Sequence, residues 1–214
     1  MTKIISIVQV KGGSGRSTVA TNLAATLSKQ STTALIDCDI PQGTSASWYA
    51  LRSADNKAGN LMIATASDHK QMVEQIQTLS NRADYIVLDA PPRIAEITRA
   101  MLMLADLIII PVGATAPELW ATADLLETIA EAQNSRPQLA YRLLWNKYRH
   151  VTKSAKELSQ EVELEAPTLT TKLGFRVAYG DALANGLSVT EYRDRKAKQE
   201  VTDLTDEIIT ILRG

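Results

Sequence analysis

The chain has 214 residues, 45% hydrophobic and 22% charged, with a formal net charge of −1. That length suits one well-buried α/β domain spanning residues 1–214 and is short for two. No apolar run approaches the ~18 residues of a membrane span, the first strand pattern begins at Ile4 so that no signal peptide is expected, and the lone Cys38 excludes an internal disulfide; a reducing, cytoplasmic setting is expected.

Ile4–Val10 reads as a buried strand that breaks into Lys11-Gly12-Gly13-Ser14-Gly15-Arg16-Ser17-Thr18, after which Thr18–Lys29 has helical spacing. Strand, glycine-rich loop and helix N-terminus together make a phosphate cradle. The glycines let backbone N–H groups converge on an anion, the helix end adds partial positive charge, and a hydroxyl closing the loop can ligand a metal ion. The usual form is G-x-x-x-x-G-K-[ST], whereas here Arg16 stands at the lysine position and Lys11 opens the loop. Arg16 keeps the charge but replaces a compact ammonium with a planar fork. Nucleotide binding is expected to tolerate that change better than fast hydrolysis does.

Thr33–Asp37 is the next strand, running into Asp37-Cys38-Asp39-Ile40-Pro41-Gln42-Gly43, and the polar stretch Arg52–Asn60 reads as a surface loop. A helix over His69–Leu79 leads to a strand, Tyr85–Asp89, that ends in Asp89-Ala90-Pro91-Pro92. Helix Ala95–Leu104, strand Leu107–Val112, helix Leu119–Gln133, strand Ala140–Asn146 and helix Thr152–Leu164 follow, with a weaker strand at Gly174–Val177. The segment Glu200–Arg213 is an amphipathic helix with Val201, Leu204, Ile208 and Ile211 on one face. Its polar face is acidic, so it is expected to dock on the core and not on anionic lipid. Continuous apolar strands alternating with helices predict a doubly wound, mainly parallel α/β sheet covered on both faces. Carboxyl ends of parallel strands share one edge, so the glycine loop, Asp39 and Asp89 should converge there.

Magnesium nucleotides need carboxylates beside the phosphate loop, and the joint order of Asp39 and Asp89 argues against ordinary turn formers. Asp37 either supports the loop and the metal's surroundings or caps the following turn. His69 and His150, taken as exposed, make no metal site with Cys38, and Trp48, Trp120 and Trp145 read as packing residues. Charge is asymmetric: residues 141–198 carry eleven cations and seven anions, a surplus of +4 that leaves −5 for the remainder. A basic rear is compatible with a nucleic-acid-facing surface or with plain solvated helix faces.

The ordered set K-G-G-x-G-x-S-T, D-x-D-x-P-Q-G and a strand ending D-x-P-P, with the later Leu107–Val112 run and Gly186-Leu187-Ser188-Val189-Thr190-Glu191-Tyr192, resembles the ParA-type ATPases of the ParA/MinD deviant-Walker P-loop superfamily. The resemblance runs from about residue 3 to the end. It implies an ATP- and Mg²⁺-dependent switch that forms a homodimer around nucleotide. Gly12, Gly13, Ser14, Gly15, Arg16, Ser17 and Thr18 would hold the phosphates, and Lys11 would reach those of the partner subunit. The resemblance implies that Ser17 ligates the metal through its hydroxyl and that Asp89 stands near it through water. Asp39 would stand near the metal and orient the attacking water, and Asn146 would read adenine unless it simply starts a turn. It further implies slow hydrolysis stimulated by a ParB-like or adaptor protein, and nonspecific binding to nucleoid DNA through Arg176, Arg193, Arg195, Lys196 and Lys198, with Lys147, Arg149, Lys153 and Lys172 behind them. The cargo would be a plasmid or a protein organelle such as a carboxysome. A MinD-like membrane-cycling regulator and a metabolic P-loop ligase are the alternatives; the acidic C-terminal helix counts against the first, Lys11 and the D-x-D-x-P-Q-G run against the second.

Overall fold

The computed structural model describes residues 1–40, 42–93, 95–149, 157 and 166–214. Six strands, β1 (Lys3–Ile7), β2 (Thr33–Asp37), β3 (Leu61–Thr65), β4 (Tyr85–Asp89), β5 (Leu107–Val112) and β6 (Ala140–Trp145), form one sheet in the order β3-β2-β4-β1-β5-β6. Every pairing is parallel. The described helices are α1 (Arg16–Leu27), α2 (Thr44–Ala54), α3 (His69–Ser80), α4 (Glu96–Leu104), α5 (Ala116–Ser135), α6 (Val177–Ala184) and α7 (Arg195–Arg213), with a 3₁₀ turn at Val189–Glu191.

Alternation along the strands builds two cores. Ile5, Ile7, Leu35, Val87, Ile109 and Leu144 point to the face covered by α1, α2, α6 and α7. Ile36, Ile86, Leu88, Ile108, Ile110 and Leu143 point to the face covered by α3, α4 and α5. A period of two with apolar residues on both phases is what a sheet buried on both sides requires. The C-terminal helix docks as expected, with Val201, Leu204 and Ile208 fully buried.

Several element boundaries differ from the sequence reading, each for a local reason. β1 stops at Ile7 and not Val10, because the Gln9 carbonyl accepts from Arg16 at 2.6 Å and the Gln9 side chain accepts from its neighbour Val10 N at 2.8 Å. The strand expected at Gly174–Val177 reduces to a single bridge between Tyr148 and Gly174, and Val177 opens α6. Neither α2 nor β3 is expected from the sequence pattern, and the loop expected over Arg52–Asn60 contains the last turn of α2. α2 buries only Ser45, Trp48 and Arg52, a helical spacing whose polar members hide it, while β3 is a half-exposed edge. The helix expected over Thr152–Leu164 lies outside the described residues apart from Glu157, which is helical.

α2 is held at its far end by the segment before α7. Trp48 Nε1 donates to Leu187 O at 3.1 Å, and Arg52 donates to Gly186 O at 3.2 Å while pairing with both Glu191 oxygens at 2.7 and 2.8 Å. Burial would raise the Glu191 carboxyl, but the Arg52 and Ser188 N–H donors outweigh it and hold it below its ordinary range. Gly186 has φ +65°, and a Cβ there would lie 2.6 Å from Arg52 N. Gly186→Ala is therefore expected to cost about 2–4 kcal/mol of stability, combining left-handed backbone strain with overpacking, and urea unfolding measures the effect.

Candidate phosphate and metal site

The loop between β1 and α1 is open where an anion would enter. Gly13 (φ +76°) and Gly15 (φ +91°) take left-handed conformations, and Gly15 caps α1 without a side chain, leaving the first amides of the helix free. A cleft of about 430 Å³ lies against this end, bordered by Gly12, Gly13, Gly15, Arg16, Ser17, Thr18, Asp39, Gln42, Thr44, Pro92 and Lys147. β6 closes the other side of the loop. Asn146 Nδ2 donates to Ser14 O at 2.7 Å, Asn146 Oδ1 accepts from Lys147 N at 2.9 Å, and Lys147, itself at φ +53°, donates from Nζ to Gly13 O at 2.6 Å. A Cβ on Gly15 would overlap the Asn146 amide, so only glycine admits this clamp. Asn146 thus has its amide turned to the loop and to its own turn.

The register of the sheet sets the carboxylates. Ile7 pairs with Asp89 and Asp89 with Asp37, so three strand ends finish level beneath the loop. Asp89 is 1% exposed; its Oδ2 accepts from Ser45 Oγ at 2.7 Å, and its Oδ1 is buried with no hydrogen-bond partner. Burial pushes its pKa up to about 7 against the pull of the Ser17 and Ser45 hydroxyls; the Asp37 charge raises it further and Arg16 lowers it. The buried, unpaired oxygen beside the Ser17 hydroxyl fits a hard, oxygen-seeking ion such as Mg²⁺, with nucleotide and water oxygens filling the remaining positions. Among the described residues no group of three His, Cys, Asp or Glu could hold a metal by itself. Asp37 Oδ1 accepts from Asp39 N at 3.0 Å and its Oδ2 from Ala46 N at 2.9 Å, so it ties the turn and the start of α2, and burial raises its pKa. Asp39 is buried and faces Arg16, its Oδ2 standing 4.0 Å from Nη2.

Ser45 escapes the sequence reading, although it follows the D-x-D-x-P-Q-G run by one residue after Thr44; a hydroxyl placed just inside a helix start is its signal. Lys11 is half exposed, 3.5 Å from Glu118 Oε1 at the start of α5. Thr18 borders the cleft, and its carbonyl accepts from Asn22 Nδ2 at 2.8 Å.

The structure divides the candidate DNA residues. Arg193, Arg195, Lys196 and Lys198 share one exposed stretch at the start of α7, where Asp194 caps the helix. Arg176 is instead taken by Glu200, with Nη2 at 2.6 Å and Nε at 3.1 Å, and Tyr179 donates to the same carboxylate. Lys147 belongs to the phosphate loop, Arg149 stacks over Phe175 at 4.1 Å and Lys172 over Tyr148 at 4.9 Å; Lys153 and His150 lie outside the described residues. Trp48 and Trp145 are core residues as expected, whereas Trp120 is 73% exposed. His69 is partly buried and meets Glu96 at 3.3 Å.

Residues 3–206 match the sequence profile of the ATPase MipZ family. The chain is 30% identical over 211 residues to the maintenance of carboxysome distribution protein A of Halothiobacillus neapolitanus, covering 96% of this chain and 95% of that protein. Its fold matches the apo McdA structure from Cyanothece with a TM-score of 0.80 at 17% identity, covering 97% of this chain and 100% of that one. It also matches a Borrelia burgdorferi plasmid partition protein bound to AMPPNP, with a TM-score of 0.77 at 20% identity over 98% and 99% of the two chains.

Removing the buried charge separates its cost from its use. Asp89→Asn is expected to raise the thermal midpoint of the metal-free protein by about 2–6 °C and to abolish the additional rise that Mg²⁺ gives with a nucleoside triphosphate; differential scanning fluorimetry reads both.

Proposed function

Because the chain belongs to the MipZ ATPase family, within the ParA-type partition ATPases of the deviant-Walker superfamily, we propose that it is a dimerising ATP·Mg²⁺ switch that binds nucleoid DNA without sequence preference and positions a cargo. One observation carries the reading: the cleft at the glycine loop is bordered by Ser17 and Asp39, and at the end of the strand paired with β1 lies a buried Asp89 whose Oδ1 has no partner. Bound Mg²⁺ would neutralise charge on the phosphates. The amides at the start of α1 and the loop glycines would cradle them, and Ser17 and Asp89 would hold the ion. Asp39 orients the attacking water, and Lys11 leaves Glu118 to meet the phosphates across the dimer. A smaller cleft of about 190 Å³ beyond Gly15 and Thr18, between Lys147 and Phe175, would receive the base. Asn146 keeps a second Nδ2–H and a second Oδ1 lone pair for adenine while it holds Ser14 O and Lys147 N.

A site completed by two subunits makes ATP favour the dimer, and hydrolysis, stimulated by an adaptor, disperses it. Turnover is slow, as suits a switch. Similarity to a carboxysome-distribution protein supports a protein organelle as cargo over a plasmid. The apolar face of α7 is buried against the core, which leaves it no apolar face for lipid and favours DNA over a membrane as the surface on which the dimer cycles. Arg193, Arg195, Lys196 and Lys198 supply that contact.

Binding to a nonspecific duplex without nucleotide and with ADP, ATP or a nonhydrolysable ATP analogue tests this at two salt concentrations. Binding only with ATP or the analogue, weakening steeply with salt, is expected; equal binding in every state, or none, contradicts it. Replacing Arg195 and Lys196 with Glu should weaken binding uniformly across sequences and lower the salt slope by about 1 for each phosphate no longer neutralised.

A further inference from the structure

Arg16 is placed where a phosphate-contacting side chain is ordinarily sought, yet it is 8% exposed and turned to the protein. Nε donates to Ala90 O at 2.9 Å, and Nη1 donates to Gln9 O at 2.6 Å and to Lys11 O at 2.9 Å. Those bonds occupy three of its N–H donors. The remaining nitrogen, Nη2, faces Asp39 at 4.0 Å. The acceptors come from two chain segments: Gln9 and Lys11 lead out of β1, and Ala90 follows β4. One guanidinium therefore touches the backbone of Lys11, the residue next to Asp89 and the carboxylate of Asp39.

From this geometry we infer that Arg16 is a positioning residue: it buckles the exit of β1 to the exit of β4 behind the phosphate loop, and sets Lys11, Asp39 and Asp89 relative to one another instead of serving as the loop's phosphate contact. The planar fork is suited to this task, because Nε–H and the Nη1–H groups leave a rigid plane in different directions and can hold carbonyls on separate strands. A lysine ammonium presents its donors from one point on a flexible stem. It can follow the β1 carbonyls or the β4 carbonyl, and the link between the two is broken. Buried charge without a partner is costly, and here three carbonyl dipoles and the nearby carboxylates of Asp39 and Asp89 compensate it. The phosphates are then met by loop amides, the α1 N-terminus, the metal and Lys11. Restoring the usual lysine should accordingly impair this chain.

The inference rests on the reading of Lys11, Asp39 and Asp89 as phosphate and metal groups, and the test separates the two. Wild type, Arg16→Lys and Arg16→Gln are compared by hydrogen exchange without nucleotide, by calorimetric titration with Mg²⁺ and AMP, ADP or ATP, and by hydrolysis at saturating ATP. Both variants are expected to exchange at least 10-fold faster at Asp89, Ala90 and Arg93 while β5 stays protected, which shows that the fold persists. Hydrolysis should fall at least 10-fold in both. Affinity in Arg16→Gln should change by less than about 5-fold, and equally for ADP and ATP. Direct phosphate contact would instead appear as an affinity loss that grows from AMP to ATP in Arg16→Gln and is absent in Arg16→Lys. That pattern overturns the inference, as does hydrolysis by Arg16→Lys at or above the wild-type rate or unchanged exchange at Asp89, Ala90 and Arg93. If wild type itself neither binds nor hydrolyses ATP, the switch reading fails, and the exchange comparison still decides whether the buckle exists.

Discussion

Ile7, Asp89 and Asp37 are register partners on three adjacent parallel strands, and this alignment decides where chemistry can occur. In parallel pairing every strand must return from the same side, so the carboxyl ends collect on one edge and helices cover both faces. The glycine loop leaves β1 at that edge, one strand away from Asp89 and two from Asp37. Moving the β1–β4 pairing by one residue would turn Asp89 to the other face and part it from the glycine loop.

That alignment carries an electrostatic cost. Asp89 sits in the interior with one oxygen unpaired, and burial raises its pKa to about 7. The surroundings are tied in place: Ser45 fixes the other oxygen, Asp37 ties the α2 N-terminus, and Asn146 and Lys147 clamp the loop from the end of β6. Donors held in place before the ligand arrives do not have to be ordered when it binds. The same rigidity reaches the C-terminal segment. α2 leaves the site at Ser45 and ends on Glu191 through Arg52, and Asn22 of α1 accepts from Ser188 Oγ and Val189 N. The segment that leads into the basic start of α7 is therefore attached to α1 and α2, the helices that begin beside the glycine loop and at Ser45.

Much of this is legible in the residues, because the strongest signals are local and periodic. Glycines at fixed intervals after an apolar strand mark a phosphate loop, and D-x-D and D-x-P-P at strand ends mark its carboxylates. α2 and β3 are not legible. The buried positions of α2 include a serine and an arginine whose partners lie far away in the chain, and β3 is a five-residue edge in which only Leu61 is fully covered. The direction of Arg16 is also out of reach. A side chain with several donors can face a ligand or three carbonyls, and only the arrival of Ala90 from another strand decides between them. Trp120 and Arg176 illustrate the same limit from opposite sides: exposure of one and pairing of the other with Glu200 depend on tertiary neighbours.

Sedimentation of the purified chain without nucleotide, with ADP and Mg²⁺, and with a nonhydrolysable ATP analogue and Mg²⁺ tests the central claim most directly. A mass that doubles from 23.3 kDa only with the triphosphate and metal together is the expected result. A mass that stays the same in all three conditions would contradict a site completed across two subunits.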